Sequence, residues 1–339
     1  MKRGASGHSL VVGVDKPYGM GSHDVVNRVR RIFDERRVGH TGTLDPTAQG
    51  AMLLCVGPAT RLSPYLTSQE KSYRFTVSFG CSTDTDDASG RVLQSAPVPD
   101  ELSDPFFAQG FVQSLVGAHD QVPPAYSAVK VGGVRSYAAA RNDAALELAP
   151  RRVEVYEAVL RGIGHCPSGL LEWDIEARVS KGTYIRSLAR DMGESLGTPA
   201  HISRLVRTAS GHLALDDCCT LDALEAQGLN AALDPVALLG CRLLFLTEAE
   251  WGDAANGSPL KAEGRTLFGF LRGPGTKEKG IRADGIAESE EAMEAGELFS
   301  VVVGIALRGL YRFDQHIRLL RPQCIFSTGV IRGFDPEGR

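Results

Sequence analysis

Residues 170–197 read LLEWDIEARVSKGTYIRSLARDMGESLG, and two hydrophobic periods meet inside them. From Leu171 to Val179 the period is two: Leu171, Trp173, Ile175, Ala177 and Val179 fall on one side, Glu172, Asp174, Glu176 and Arg178 on the other. That alternation predicts a strand with one buried face. From Ile185 the spacing widens to three and four, through Leu188, Met192 and Leu196, which predicts a helix. Thr183 is placed to cap its start and Gly197 to end it.

Working outward, SYRFTVSFG (72–80) alternates in the same way, with Tyr73, Phe75, Val77 and Phe79 on one face. SLVVGVDKP (9–17) reads as a short strand. Ser22 is a plausible N-cap for a helix carrying Val25, Val26, Val29, Ile32 and Phe33, with Arg28, Arg30 and Arg31 near solvent. AMLLCVG (51–57) is a buried strand or the opening of a core helix, and periodicity does not choose between them. Strands and helices mix without a regular βαβ repeat. The fold class is therefore α+β, a mixed, largely antiparallel sheet flanked by helices.

The chain's 339 residues, 43% of them hydrophobic, suffice for about two domains. We place a first domain over residues 1–245, ending in a helical connector over 211–245. A glycine-rich, β-rich module follows over 246–339, with short strands at SVVVGIAL and HIRLL. Within it the acidic GIAESEEAMEAGE (285–297) reads as a solvated insertion or loop. No run of 18 apolar residues occurs, and the N-terminal apolar run is too short for a secretory signal. Seven cysteines without CxxC spacing fit a reduced, cytoplasmic protein without structural zinc.

Net charge is −4, yet residues 1–210 hold 24 Lys+Arg against 22 Asp+Glu. Basic clusters occur at RVRRIFDERR (28–37), at Arg151 and Arg152, and at Arg186, Arg190, Arg204 and Arg207. A phosphate-binding face needs only such a local field. A solvated helix face accounts for any one cluster equally well.

The chemistry points to GHTGTLDPTAQGAMLLCVG (39–57). Pro46 biases Asp45 away from helical geometry and Gly42 permits a sharp turn, so the acid is held on a rigid loop. An Asx-turn explains the same residues. Downstream, SKGTYIRSLARD sets Tyr184 and Arg186 at a strand-to-helix junction. An arginine there can form a bidentate pair with a carboxylate and lower its pKa, or can lie on a wet surface.

Four stretches, GHTGTLDPTAQGAMLLCVGPATRL, EKSYRFTVSFG, QVPPAYSAVKVGGVRSYAAAR and SKGTYIRSLARDMG, resemble in order and spacing the motifs of the TruB family of tRNA pseudouridine synthases. DKPYGMGSHDVVNRVRR resembles the family's opening, and the likeness covers residues 10–210. It implies a pseudouridine-synthase-like fold, with residues 1–245 as the catalytic domain, an RNA-loop-binding insertion at about 95–150, and a PUA-like C-terminal module over 246–339. It further implies isomerisation of a uridine, at position 55 in the TΨC loop of tRNA. Asp45 corresponds to the family's one catalytic aspartate and Arg186 to the arginine that pairs with it. Tyr73 corresponds to the tyrosine that stacks on the target base, and Tyr184 and Leu205 to pocket-lining positions. His40 corresponds to a residue that fills the space the uridine leaves, Lys16 to a basic pocket-side residue. Val206 stands where the family often shows a second arginine. The resemblance also implies tRNA as partner, a monomer without an obligate protein partner, and chemistry without metal or cofactor. A synthase acting on another RNA, or a tRNA folding helper with dispensable catalysis, are the alternatives.

Overall fold

The computed structural model describes residues 6–127, 129–132, 134–137, 146–270, 286–289 and 291–333. The end of the third motif, residues 138–141, lies outside them, as do residues 285 and 290 of the acidic segment. The chain divides into two compact units. One takes residues up to 45, with 50–68 and everything from 210 onward; the other takes 46–49 and 69–209.

The second unit is built on a run of neighbouring strands: Ala200–Ser210, Lys71–Phe79, Leu171–Val179, Arg151–His165 and Gly117–Gln121. Leu171–Val179 pairs antiparallel with the strands on both sides, and its burial alternates residue by residue as the period-two pattern requires. Trp173 and Ile175 are fully buried. The Trp173 indole N–H donates to Leu102 O at 2.9 Å, and its ring meets Phe79 edge-on at 4.8 Å. Burying such side chains contributes about 1.5–3 kcal/mol each. The opposite face carries ion pairs, including Arg74 with Asp174 at 2.6 Å and Arg178 with Glu157 at 2.7 Å. The expected helix runs from Ile185 to Ser195, with Leu188, Ala189 and Met192 buried and Gly197 at φ 71° after its end. Thr183 is not its cap: that position is Tyr184, and the Thr183 hydroxyl donates to Ser180 O at 2.9 Å within the preceding turn.

In the first unit, Leu10–Lys16 and Val38–His40 both pair antiparallel with Ala48–Val56. Ala48–Val56 is thus a strand, and its unbroken apolar run has a physical reason. Met52, Leu54 and Val56 pack with Val25, Val26 and Val29 of the helix Ser22–Ile32. Ala51, Leu53 and Cys55 pack with Leu307, Leu310 and Phe326. A strand covered on both faces needs no polar side. Gly21, not Ser22, caps the helix Ser22–Ile32; the Asp24 carboxylate accepts from Gly21 N at 3.1 Å.

The seven strands of the C-terminal sheet run in the order Leu260–Lys261, Leu319–Ile331, Ala306–Asp314, Leu298–Val303, Arg242–Leu246, Leu267–Phe270, Ile286–Ser289. The connector carries the helix Leu221–Gln227, capped by the Thr220 hydroxyl, and its last four residues, from Arg242, already belong to this sheet. SVVVGIAL is the corner of a hairpin rather than a single strand: it turns at Gly304, φ 56°. HIRLL straddles a turn and a strand start, since the strand begins only at Leu319. The acidic segment is not wholly a loop either, because Ile286–Ser289 pairs antiparallel with Leu267–Phe270. An edge strand tolerates charge on its open side, which composition alone reads as solvation.

Candidate functional site

The loop bearing Asp45 is fastened at successive residues. Thr41 N donates to Leu53 O at 3.1 Å, and Gly42 N donates to His40 Nδ1 at 3.3 Å. His40 thus accepts at Nδ1 in this bond. The Ser22 hydroxyl brackets Leu44: it accepts from Leu44 N at 2.8 Å and donates to Leu44 O at 2.6 Å. Asp45 itself is half-buried and is followed by exposed Pro46. Lys16 is fully buried, and its ammonium donates to Pro17 O at 2.9 Å and Met20 O at 2.6 Å. Its charge is thus spent in part on closing the turn that leads into the helix Ser22–Ile32.

In the second unit, Thr47 Oγ1 donates to Asp87 Oδ2 at 2.9 Å. Asp87 is 5% exposed and also accepts from Thr85 Oγ1 at 2.7 Å, Ser89 Oγ at 2.6 Å and Ser89 N at 2.9 Å. Burial pushes this carboxyl up, but the hydrogen bonds from Ser89, Thr85 and Thr47 outweigh it and hold the group below the usual range. It stays ionised and serves as a rigid acceptor.

Tyr73 lies half-buried near the start of its strand, opposite Ala177. Leu205 is buried on the neighbouring strand Ala200–Ser210, and Val206 beside it is half-buried. The Gln121 side chain clamps the backbone of Tyr184, accepting from Tyr184 N at 2.8 Å and donating to Tyr184 O at 3.0 Å. Arg186 is 5% exposed, with Nη1 on Thr85 O at 2.9 Å and Nη2 on Tyr126 O at 2.8 Å. It is not a wet surface arginine.

Lys16, His40 and Asp45 thus belong to the first unit, and Tyr73, Tyr184, Arg186 and Leu205 to the second. The positions that sequence reading passed over are Ser22 as a loop anchor, Asp87 and Gln121. Asp87 stands in the polar run STDTDDASG and Gln121 opens QVPPAY, and neither run by itself signals which bonds these residues make. The basic clusters divide. Arg207, grouped with surface arginines in the sequence, is 1% exposed, so it does not present its charge to a phosphate in solution. Arg31, Arg36, Arg151, Arg152 and Arg204 are exposed. All seven cysteines are free thiols. Among the described residues no helix is long and apolar enough to cross a membrane.

Residues 30–185 match the family model "TruB family pseudouridylate synthase (N terminal domain)", and residues 186–238 match "tRNA pseudouridylate synthase B C-terminal domain". The chain is 43% identical over 263 residues to tRNA pseudouridine synthase B of Mycobacterium bovis, covering 77% of this chain and 86% of that one. To the protein of the same name from Bacillus licheniformis it is 43% identical over 218 residues, covering 63% and 69%. Among solved structures, a chain of the H/ACA RNP bound to a substrate RNA containing 2′-deoxyuridine superposes with a TM-score of 0.64. It is 20% identical and covers 97% of this chain and 88% of its own. A chain of a Cbf5–Nop10–Gar1 complex gives 0.65 at 20% identity, covering 95% and 85%. At that identity the two structures speak for the fold alone.

Proposed function

The chain belongs to the TruB family of pseudouridylate synthases, and we propose that it isomerises uridine 55 in the TΨC loop of tRNA to pseudouridine. The observation that carries this is the 43% identity to tRNA pseudouridine synthase B across 86% of that relative. In the reaction the N1–C1′ bond breaks, the uracil turns, and C5 bonds to C1′. The C5 proton leaves and N1 takes one up, so no atom is gained or lost. Glycoside hydrolysis uses two carboxyls because water must be activated as well as the leaving group protonated. Here no water attacks and the leaving base is reused, so one ionised carboxylate on a fixed loop suffices.

Asp45 is that carboxylate. Its support is the anchored loop, bound at Leu44 by Ser22 and at Thr47 by Asp87. The family correspondence assigns Arg186 to keep the acid ionised and oriented, and Tyr73 to stack on the flipped base. Stacking returns about 1–3 kcal/mol against the few kcal/mol that flipping costs. Tyr184 and Leu205 line the pocket, His40 fills the space the uridine leaves, and Lys16 braces the turn at its side. Phosphate contacts from the exposed arginines position the tRNA loop. The protein works in the cytoplasm as a monomer, without metal or cofactor. Residues 1–245 form its catalytic domain and 246–339 a PUA-like module.

The test is to incubate the purified protein with unmodified tRNA and map pseudouridine by mass spectrometry, beside a transcript carrying cytidine at position 55. Product at 55 alone, and none in the cytidine transcript, is the expected result. Product elsewhere that persists in the cytidine transcript would reassign the target, and no product would overturn the activity.

A further inference from the structure

The helix Ile185–Ser195 grips two loops with two arginines placed one turn apart. Arg186 puts Nη1 on Thr85 O and Nη2 on Tyr126 O, at 2.9 and 2.8 Å. Arg190 repeats the arrangement four residues on: Nη1 meets Asp86 Oδ2 at 3.2 Å and Nη2 meets Val122 O at 3.0 Å. Residues i and i+4 share a helix face, so both guanidinium groups reach the same two segments. Each has one arm on the loop 83–90 and one on the segment 121–127, and their partners in the first, Thr85 and Asp86, are consecutive.

Asp86 has an unusual backbone. Its φ is +58°, shared among described non-glycine residues only with Asp34 and Arg318. A Cβ disfavours that conformation, which persists where surroundings impose it. Here Asp86 N donates to Thr83 O at 3.3 Å, and Ile202 N donates to Asp86 O at 3.1 Å. The turn made at Asp86 separates two functional neighbours. Before it lies Thr85, whose carbonyl receives Arg186; after it lies Asp87, whose carboxylate receives Thr47, two residues beyond Asp45. The direction of the chain at Asp86 therefore sets how these two anchors stand to one another.

Arg190 stands among three carboxylates. Asp86 and Asp191 both pair with it, at 3.2 and 2.8 Å, and Glu194 lies 4.0 Å away. Burial pushes both Asp86 and Asp191 up; Arg190 opposes this at both, and Arg186 adds to the opposition at Asp86. Without Arg190, Asp86 would lose its direct ion pair and face Asp191 with only the more remote Arg186 charge to offset it, which favours protonation or movement of Asp86.

We propose that Asp86 and Arg190 are a positioning pair for the reaction: their contact latches the loop 83–90 in the one arrangement that holds Arg186 and Thr47 together. The pair touches no RNA. It rests on the reading of Asp45 and Arg186 as reacting groups.

The experiment is single-turnover pseudouridine formation on unmodified tRNA at saturating enzyme, with tRNA affinity measured separately. Asp86→Asn, Arg190→Gln, the double variant and Arg190→Lys are compared where circular dichroism shows each fully folded. Each of the first two should slow the reaction by about tenfold to a hundredfold, the scale of a small misplacement at a reacting centre, with Kd within about twofold. The double variant should be no slower than the slower single one, because both break one contact. Arg190→Lys should recover part of the rate. Rates within about twofold of wild type for both single variants, or losses that multiply in the double, overturn the pair. So does a loss seen only in affinity. Wild-type turnover is the control that separates the two readings. Its absence overturns the functional assignment and the pair with it; its presence beside unaffected variants overturns the pair alone.

Discussion

The Ser22 hydroxyl and the Leu44 peptide exchange two hydrogen bonds, one in each direction, at 2.6 and 2.8 Å. Ser22 is 6% exposed and Leu44 4% exposed, so water does not replace either bond. Ser22→Ala leaves a buried N–H and a buried C=O without that partner, at a cost of about 1–3 kcal/mol. Because Leu44 precedes Asp45, the loss should appear in kcat as well as in thermal stability, with KM for tRNA little changed. A variant with lowered Tm and unchanged kcat would remove Ser22 from the positioning of the loop.

Asp45→Asn keeps the shape of the side chain and removes its charge. Pseudouridine formation should fall to background while tRNA binding stays within about tenfold of wild type, because an amide is no nucleophile. Mass spectrometry of the intact protein excludes deamidation. Substantial product from verified asparagine protein would refute the assignment. Arg186→Ala should likewise depress turnover far more than affinity.

Gln121 holds Tyr184 through both amide atoms. Gln121→Ala removes a donor and an acceptor at once from the start of the helix Ile185–Ser195. Tyr184 and Arg186 should then lose their fixed approach, and single-turnover rate should drop about tenfold or more. Gln121→Glu retains the acceptor for Tyr184 N but no longer donates to its carbonyl, so its rate should lie between the two. Equal rates in all three proteins would make the clamp irrelevant to catalysis.

Lys71 supplies a pH test of the buried strand Lys71–Phe79. Lys71 is 7% exposed, and its ammonium donates to Gln69 O at 2.5 Å. Burial, with the nearby Arg207 and Lys181 charges, lowers it from the usual 10.5 to about 8. Between pH 8 and 10.5 the unfolded chain binds the extra proton, so this residue's contribution to stability rises with pH across that window. Lys71→Met abolishes the dependence. The difference in Tm between wild type and variant should therefore shift in favour of wild type from pH 8 to 10.5; a constant difference would mean that Lys71 is not depressed.

Much of the fold is legible residue by residue. The alternation in 171–179 reappears as strict alternation of burial, and the Val25, Val26, Val29 stripe is the buried face of its helix. Other stretches were not legible, for identifiable reasons. Ser22 and Thr183 have cap chemistry, but Ser22 bonds the distant Leu44 and Thr183 bonds within its own turn. Ile286–Ser289 is too short, and the segment around it too acidic, to signal a strand until Leu267–Phe270 lies beside it. Arg207 looks like its exposed neighbour Arg204 in sequence, and only the packing of its strand buries it.

For the site, the sequence alone singled out the residues to which we assign the chemistry: Asp45 between Leu44 and Pro46, Tyr73 at a strand start, Tyr184 and Arg186 at a helix start. Only the tertiary structure decided what holds them. Ser22 meets Leu44 across 22 residues, Thr47 meets Asp87 across 40, Gln121 meets Tyr184 across 63, and Arg186 meets Thr85 across 101. Local periodicity encodes which face of an element is buried. It carries no information about which distant loop will supply the donor or acceptor that a buried polar group requires.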